Sequence, residues 1–324
     1  MTAPTVVILD AADIDYAAYA DFQKRAYRDL LARRGASDAH MTPEYYRWKY
    51  HPPDGAARVA QVVESGRTLS SSAMLPLRLS FERRSTIGWH CLDVGTVPEA
   101  RGKGLFLATL RSLIETVGRD ELFFAFPNEA SIVSFLKLGC TENGILPTWV
   151  APCIRPVAKR HDDIEQIDRF DTGQNGIRGH FGLDRPCVDR RSDYLSWRYT
   201  SNPIHRYVSF VLAKDGCEGF CVVRRAHVMG RDLALVMEIT GSSARVQGAL
   251  MSHAADWARG DGVNMMAVMS TTLPLSSALR TTMLRVPSVL LPKKQVLVVK
   301  PGSDLPPSLS TSKWALSTGD WDVF

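Results

Sequence analysis

The sequence predicts a mixed α/β protein of two tandem domains, each a mixed central sheet flanked by helices. Three observations carry that prediction: the length, a repeated aromatic segment, and a shared order of elements after each copy. At 324 residues the chain has room for two domains of the usual ~100–200 residues. The segment Tyr45-Tyr46-Arg47-Trp48-Lys49-Tyr50-His51-Pro52 returns as Tyr194-Leu195-Ser196-Trp197-Arg198-Tyr199-Thr200-Ser201-Asn202-Pro203, with the two tryptophans 149 residues apart. After each copy the chain reads as the same series of three strands, helix, strand, helix and strand.

In the first half, the alternating β-branched run Arg58 to Glu64 predicts a strand, Ser65-Gly66 a turn, and Thr68 to Phe81 and Thr86 to Thr96 two further strands. Leu105, Leu107, Ala108, Leu110, Leu113, Ile114 and Val117 recur at helical spacing, which predicts a helix from Gly104 to Gly118. A short apolar strand comes next, from Leu122 to Phe126. A second helix is expected over Asn128 to Leu138, closed by Gly139, and extended chain over Ile145 to Val150. In the second half, strands are expected at Tyr207 to Ala213, Glu218 to Val228 and Asp232 to Thr240, and a helix from Ala244 to Arg259 stopped by Gly260. Then come a strand from Val263 to Met269, a helix from Leu275 to Leu284 and a last strand from Lys294 to Lys300. Pro152, Pro156 and the polar stretch Lys159 to Asp171 mark the junction, so the domains are expected at 1–155 and 156–324.

Composition narrows the class of function. Hydrophobic residues are 45% and charged residues 23% of the chain, the balance of a soluble globular protein. No apolar run reaches the ~20 residues of a membrane span, and Met1 to Asp10 lacks the features of a signal peptide, so a cytoplasmic protein is expected. The net charge of +5 is scattered in short groups such as Arg83-Arg84, Arg190-Arg191 and Arg224-Arg225. That speaks against a nucleic-acid or membrane partner and leaves room for an anionic small molecule. The six cysteines form no CxxC pair and no zinc-like pattern with histidine, so reduced thiols and no metal are expected.

The halves differ at one place. Between its third strand and first long helix the N-terminal half carries Val97-Pro98-Glu99-Ala100-Arg101-Gly102-Lys103-Gly104-Leu105-Phe106. Glycines there let the backbone turn tightly into the helix, so that N–H groups and the positive helix end converge on an anion such as phosphate. The matching Ile239-Thr240-Gly241-Ser242-Ser243-Ala244-Arg245 has no such run.

With these residues in place, the sequence resembles the GNAT superfamily of acyl-CoA-dependent N-acyltransferases. Thr96 to Gly104 looks like its pyrophosphate motif, Arg/Gln-x-x-Gly-x-Gly/Ala after the fourth strand, and Asn128 to Cys140 resembles its Asn-x-x-Ala…Tyr…Lys-x-Gly-Phe helix. The motif resemblance covers about residues 58–150; the second half is similar in element order alone, and the whole is similar to tandem GNAT proteins. The resemblance implies acyl-CoA (acetyl-CoA or a short-chain acyl-CoA) as co-substrate, held by Thr96, Val97, Arg101, Gly102, Lys103, Gly104, Leu105 and Phe106, with Asn128 bonding the pantetheine arm or capping its helix. Phe106 stands where the family has Gly or Ala. Phe135 stands where many members have a tyrosine that protonates the leaving thiolate.

The resemblance also places a base on the fourth strand, at His90, whose unperturbed pKa of ~6.5 suits the task. Asp93 is the second catalytic candidate, with a structural ion pair as its alternative; period-2 alternation puts it on the opposite face from His90. Trp48, Tyr50, Trp197 and Tyr199 recur in both halves, independently of the phosphate loop, and are expected to be structural. Lys49 and Arg198 beside them are expected in solvent. The expected activity is acyl transfer to a primary amine, the preferred acceptor being a nucleotide-linked amino sugar made for a surface polysaccharide. The alternatives are an aminoacyl (FemABX-like) or aminoglycoside transferase and a non-catalytic CoA- or sugar-binding module. The protein is expected to be a monomer or homodimer.

Overall fold

A computed structural model describes residues 5–153, 163–170, 185–214, 216–228, 230–273, 283–291 and 294–321. In chain order the elements are β1 (Val7–Asp10), α1 (Tyr16–Arg34), α2 (Pro43–Lys49), β2 (Arg58–Glu64), β3 (Arg67–Phe81), β4 (Arg84–Thr96), α3 (Leu105–Ile114), β5 (Leu122–Ala125) and α4 (Ile132–Lys137). They continue with β6 (Thr141–Ile145), β7 (Thr148–Pro152), β8 (Ile164–Ile167), β9 (Cys187–Val188), α5 (Ser192–Leu195), β10 (Val208–Lys214), β11 (Gly216–Val228) and β12 (Arg231–Gly241). Last come α6 (Ala244–Gly260), β13 (Met265–Met269), β14 (Leu284–Arg285) and β15 (Val296–Pro301). The strands form two mixed sheets flanked by helices, as expected from the sequence. The first runs β1-β2-β3-β4-β5-β15-β6, with β9 alongside β3, and the second β14-β7-β13-β12-β11-β10-β8.

Most elements lie where hydrophobic periodicity puts them. β2 has the expected bounds, and Ser65 and Gly66, with φ of 50° and 73°, make the tight hairpin turn into β3. α3 stops at Ile114, a turn short of the expected Gly118. α4 begins at Ile132, because Asn128 to Ser131 forms a separate turn whose N–H groups bond the Asn128 side chain. Most of the helix expected over Leu275 to Leu284 lies outside the described residues; its last residue, Leu284, begins β14. Of the junction, Pro156, residues 159–162 and Asp171 also lie outside them, while β8 occupies part of the stretch expected to be linker.

One arrangement differs from the expected succession of two self-contained sheets. The extended chain expected over Ile145 to Val150 is two strands in different sheets: β6 borders β15 in the first, and β7 lies between β13 and β14 in the second. In return β15, from the end of the chain, inserts between β5 and β6. The halves therefore exchange a strand. Leu146 and Pro147 join β6 to β7, and neither suits the positive-φ positions of a two-residue hairpin. Proline also holds the residue before it extended, so the chain runs on into the other sheet.

The core joins the halves as well. Leu77, Leu79 and Phe124 of the first sheet, Phe220, Val222 and Met237 of the second, and Trp314 form one buried cluster. The opposite face of the first sheet is covered by α3 and α4 (Leu110, Leu113, Phe135), while α1 and α2 cover the end of the inner face where Ala73, Leu75 and Leu92 lie. α6 covers the outer face of the second sheet. The repeated tryptophans meet where the halves touch: their rings stack at 5.4 Å and 24°. The Trp48 indole N–H donates to the Trp197 carbonyl at 2.9 Å, and the Trp197 indole N–H to the Trp48 carbonyl at 3.1 Å. Their structural role is thus reciprocal. No helix among the described residues is long and apolar enough to cross a membrane.

Candidate active site

Among the described residues, β4 and β5 are the only parallel pair in the first sheet, and their pairing ends at Cys91 and Ala125 although β4 runs on to Thr96. Beyond that point the strands part and leave a gap. β4 also carries a bulge: its register against β3 shifts between the Ala73–Leu92 and Ser71–Gly95 pairs, and Asp93 adopts a φ of 48°. Helix α1 lies against the bulge. Gln23 donates to the Asp93 carbonyl at 3.2 Å, and the Tyr27 hydroxyl to the Val94 carbonyl at 2.8 Å. At Gly95 a Cβ would stand 3.1 Å from that of Ala26, so the missing side chain lets the helix pack this close without a shift.

Two adjoining spaces, with Tyr27, Leu30, Val94, Asn128 and Ser131 in the walls of both, lie at the gap. An outer groove of about 510 Å³ is lined by Tyr27, Arg33, Thr96, Arg101, Phe106 and Asn128, among others. It adjoins, at Val94 and Ser131, an inner cleft of about 100 Å³ that reaches His90, Phe126, Phe135 and Trp321.

The Gly-rich turn sits at the outer end. Gly102 and Gly104 have φ of 77° and 75°, and Gly104 caps α3 without a side-chain acceptor. The first-turn N–H groups of Leu105, Phe106 and Leu107 have no carbonyl within the helix to bond, and no acidic residue occupies that turn. These features fit an anion at the helix end. Arg101 fastens the turn to α1: its guanidinium reaches Asp29 at 3.1 Å, the Ala26 carbonyl at 3.1 Å and the Thr96 carbonyl at 3.2 Å. Lys103 is exposed. The Thr96 hydroxyl bonds Ser70 at 2.9 Å. Val97 stands apart, fully buried with its N–H donating to Leu69, so it offers the groove neither side chain nor N–H. Leu105 is likewise a core side chain and contributes only backbone.

At the inner end, His90 is buried and stacked on Phe124 at 4.7 Å and 7°, with Phe126 edge-on at 5.8 Å. The bulge overturns the expected opposition of faces. Leu92 and Leu75 share the His90 face, and Asp93 reaches Lys49 and Tyr50 of the helices packed there. Asp93 and His90 therefore lie on one face, since a positive-φ residue breaks strict alternation. The Asp93 carboxylate bonds Lys49 Nζ at 2.9 Å and the Tyr50 hydroxyl at 3.0 Å. Tyr50 in turn bonds Tyr19 at 2.6 Å, and Gln23 bonds Tyr19 at 2.6 Å. Burial raises the Tyr50 phenol well above its ordinary value, and the adjacent Asp93 charge adds to this.

The expectation that Lys49 and Arg198 are solvated is also overturned. Lys49 is wholly buried by its pairing with Asp93, and Arg198 is buried with its guanidinium on the Gly319 and Trp321 carbonyls. Asn128 Oδ1 accepts from the N–H groups of Ala130 and Ser131, both at 3.0 Å; it caps the turn while its side chain borders the groove. Phe135 is buried against Phe106 and Phe123 and brings no proton donor.

Sequence reading missed Tyr27, Leu30 and Arg33 on α1, and Phe126 and Trp321 in the inner cleft. The α1 signal was present as end marks, Asp15 capping Ala17 and Ala18 and Gly35 at φ 59°. Its apolar stripe, built of tyrosine and alanine, is faint. Among the described residues, no group of three His, Cys, Asp or Glu gathers as a metal site. Cys91, Cys140, Cys153, Cys187 and Cys221 are free and buried.

No protein-family model matches the chain, and no curated protein matches it significantly. Solved structures do. A GCN5-related N-acetyltransferase from Anabaena variabilis is 11% identical, with 91% of this chain and 72% of that one covered at a TM-score of 0.64. A probable N-acyltransferase from Enterococcus faecalis is 12% identical, with 93% and 73% covered at 0.62. A GCN5-related N-acetyltransferase from Kribbella flavida is 12% identical, with 93% and 72% covered at 0.58. The chain has the mixed-sheet fold of these GNAT structures.

Proposed function

We propose that the protein is a GNAT N-acyltransferase that moves an acyl group from an acyl-CoA thioester to a primary amine. The observation that carries this reading is the succession of the Gly-capped end of α3, the groove bordered by Arg101 and Phe106, and the adjoining cleft that reaches His90 where β4 and β5 part. The pyrophosphate would sit on the first turn of α3, the pantetheine arm in the outer groove beside Asn128, and the thioester at the inner cleft. His90 takes a proton from the ammonium, the freed amine attacks the carbonyl, and as the intermediate collapses it expels the thiolate while the nitrogen gives up its second proton to water, from which the thiolate is protonated. Backbone N–H groups of β4 past Cys91, released from pairing with β5, are the donors for the oxyanion. With Phe135 in place of a hydroxyl, the thiolate leaves without a proton from that position; a thiol pKa near ~8.5 makes it an adequate leaving group. Asp93 acts through position rather than proton transfer, because Lys49 and Tyr50 engage its carboxylate.

In this reading residues 1–155 bind acyl-CoA and residues 156–324 shape the acceptor site, in the cytoplasm where acyl-CoA is made. The preferred acceptor is a nucleotide-linked amino sugar. Its support is the resemblance together with charge: among the described residues lining the inner cleft the carboxylate is that of Asp93, which Lys49 neutralises, so the cleft does not favour a polycation. Thiol release from acetyl-CoA across a panel of amines tests the reaction. Tight CoA binding with no turnover of any amine would leave a binding module instead.

A further inference from the structure

The C-terminal half lacks the phosphate turn but repeats the buried anchor of the first half. Tyr50 donates to Asp93 on β4; its counterpart Tyr199 donates to Glu238 on β12 at 2.6 Å. Both carboxylates stand beside a register shift in their strand. In the second half the anchor extends to the end of the chain. Arg190, wholly buried, bonds Glu238 at 3.2 Å and Asp320 at 2.7 Å. Ser317 Oγ donates to Glu238 at 2.6 Å and its N–H to Asp320 at 2.8 Å. At Gly319 a Cβ would collide with the Tyr199 hydroxyl and the Glu238 carboxylate, so the turn closes directly over the anchor. Arg198 donates to the carbonyls of Gly319 at 3.3 Å and Trp321 at 3.4 Å.

Through Arg190–Asp320, Ser317–Glu238 and Arg198–Gly319 this anchor holds the turn at residues 317–320, and the next side chain, half-buried Trp321, lines the inner cleft of the other half with His90 and Phe126. A charge cluster so buried is costly to desolvate. What it holds at the site is one aromatic ring.

We propose that Trp321 is the acceptor platform: the indole face against which the ring bearing the acceptor amine packs, so that the amine meets the thioester beside His90. This rests on the N-acyltransferase reading above. The class of acceptor is a primary amine carried on a sugar or similar ring, whose apolar face suits a broad aromatic surface. A linear polyamine has no such face, and its charges would find Asp93, the lining carboxylate among the described residues, already paired.

The test uses the full chain as wild type, Trp321→Ala and Trp321→Phe. Thiol release from acetyl-CoA is measured with a UDP-linked amino sugar, glucosamine and spermidine, and tryptophan fluorescence is titrated with the same amines in the presence of CoA. Trp321→Ala should raise the KM of the ring-borne amines roughly tenfold, as for loss of an aromatic stack, with the KM of acetyl-CoA held within about twofold. Trp321→Phe should recover most of that loss yet abolish the fluorescence response to acceptor. An unmoved acceptor KM, a parallel rise for acetyl-CoA, preference for spermidine, or a fluorescence response that survives in Trp321→Phe each overturns the proposal. If Trp321→Ala does not fold, the Trp321→Phe titration decides. If wild type turns over no amine, the N-acyltransferase reading falls, and the titration still judges Trp321 by itself.

Discussion

His90 is stacked on Phe124 and met edge-on by Phe126, which fixes the ring at the inner end of the cleft. Its replacement by alanine should lower the rate constant at saturating acyl-CoA by roughly 10²–10⁴-fold if it is the base, and an unchanged rate would remove it from the mechanism. Lys49 shows what a sequence hides at this scale. Lysine is usually exposed, and nothing in the repeat announces that Asp93, far away in the chain, will be turned toward it by a bulge. Lys49→Met should cost about 3–5 kcal/mol in urea unfolding, because it takes the cationic partner from a buried carboxylate, and adding Asp93→Asn should return part of that loss. Glu238 gives the pH counterpart. Burial raises its carboxyl above the ordinary 4.5, with Arg190 opposing and Asp320 reinforcing the shift. Arg190 is shared between the two carboxylates, so burial still tilts Glu238 toward its neutral form. The stability this group contributes is complete below its unfolded value and is lost as pH rises through the raised folded value. Melting temperature should therefore fall over that interval in wild type and flatten there in Glu238→Gln.

Elements with a strong apolar period were legible: β2, β3, β4, α3, β11, β12 and α6 fall within a few residues of the expected bounds, because alternation and helical spacing are local properties. Helix α1 was not read, since the tyrosines and alanines of its inner stripe are close in character to the residues around them. It nonetheless supplies one wall of the groove. The Gly-rich turn was legible for a different reason, its φ requirement. Gly104 has no neighbour within 4 Å of a built Cβ, so substitution acts through the backbone alone. Gly104→Ala should cost about 1–2 kcal/mol for the left-handed conformation. It should also raise the acyl-CoA KM severalfold with little change in kcat, as the first-turn N–H groups move off the phosphate. Calorimetric titration with CoA checks the second effect, and a loss of stability with unaltered CoA affinity would detach this turn from the cofactor.

At the scale of the molecule, the repeat pointed to two sheets of similar element order but not to which sheet each strand would join. A strand's sequence states its period and burial, and neither names the strand that will lie beside it. The exchange has a consequence that two self-contained domains would not share. Each sheet is completed by a strand from the other half, the central cluster draws on both sheets, and the Trp48–Trp197 contact is reciprocal. Opening one half therefore removes a strand from the interior of the other sheet and exposes the shared cluster, so neither half has a stable intermediate to stop at. Calorimetric unfolding should show one transition with matching van't Hoff and calorimetric enthalpies. Substituting both tryptophans by phenylalanine should show a coupling of about 0.5–3 kcal/mol beyond the sum of the single changes, because each indole N–H loses its partner across the same contact. Two resolved transitions, with the tryptophan substitutions additive, would mean that the halves fold separately and that the exchanged strands add little to either.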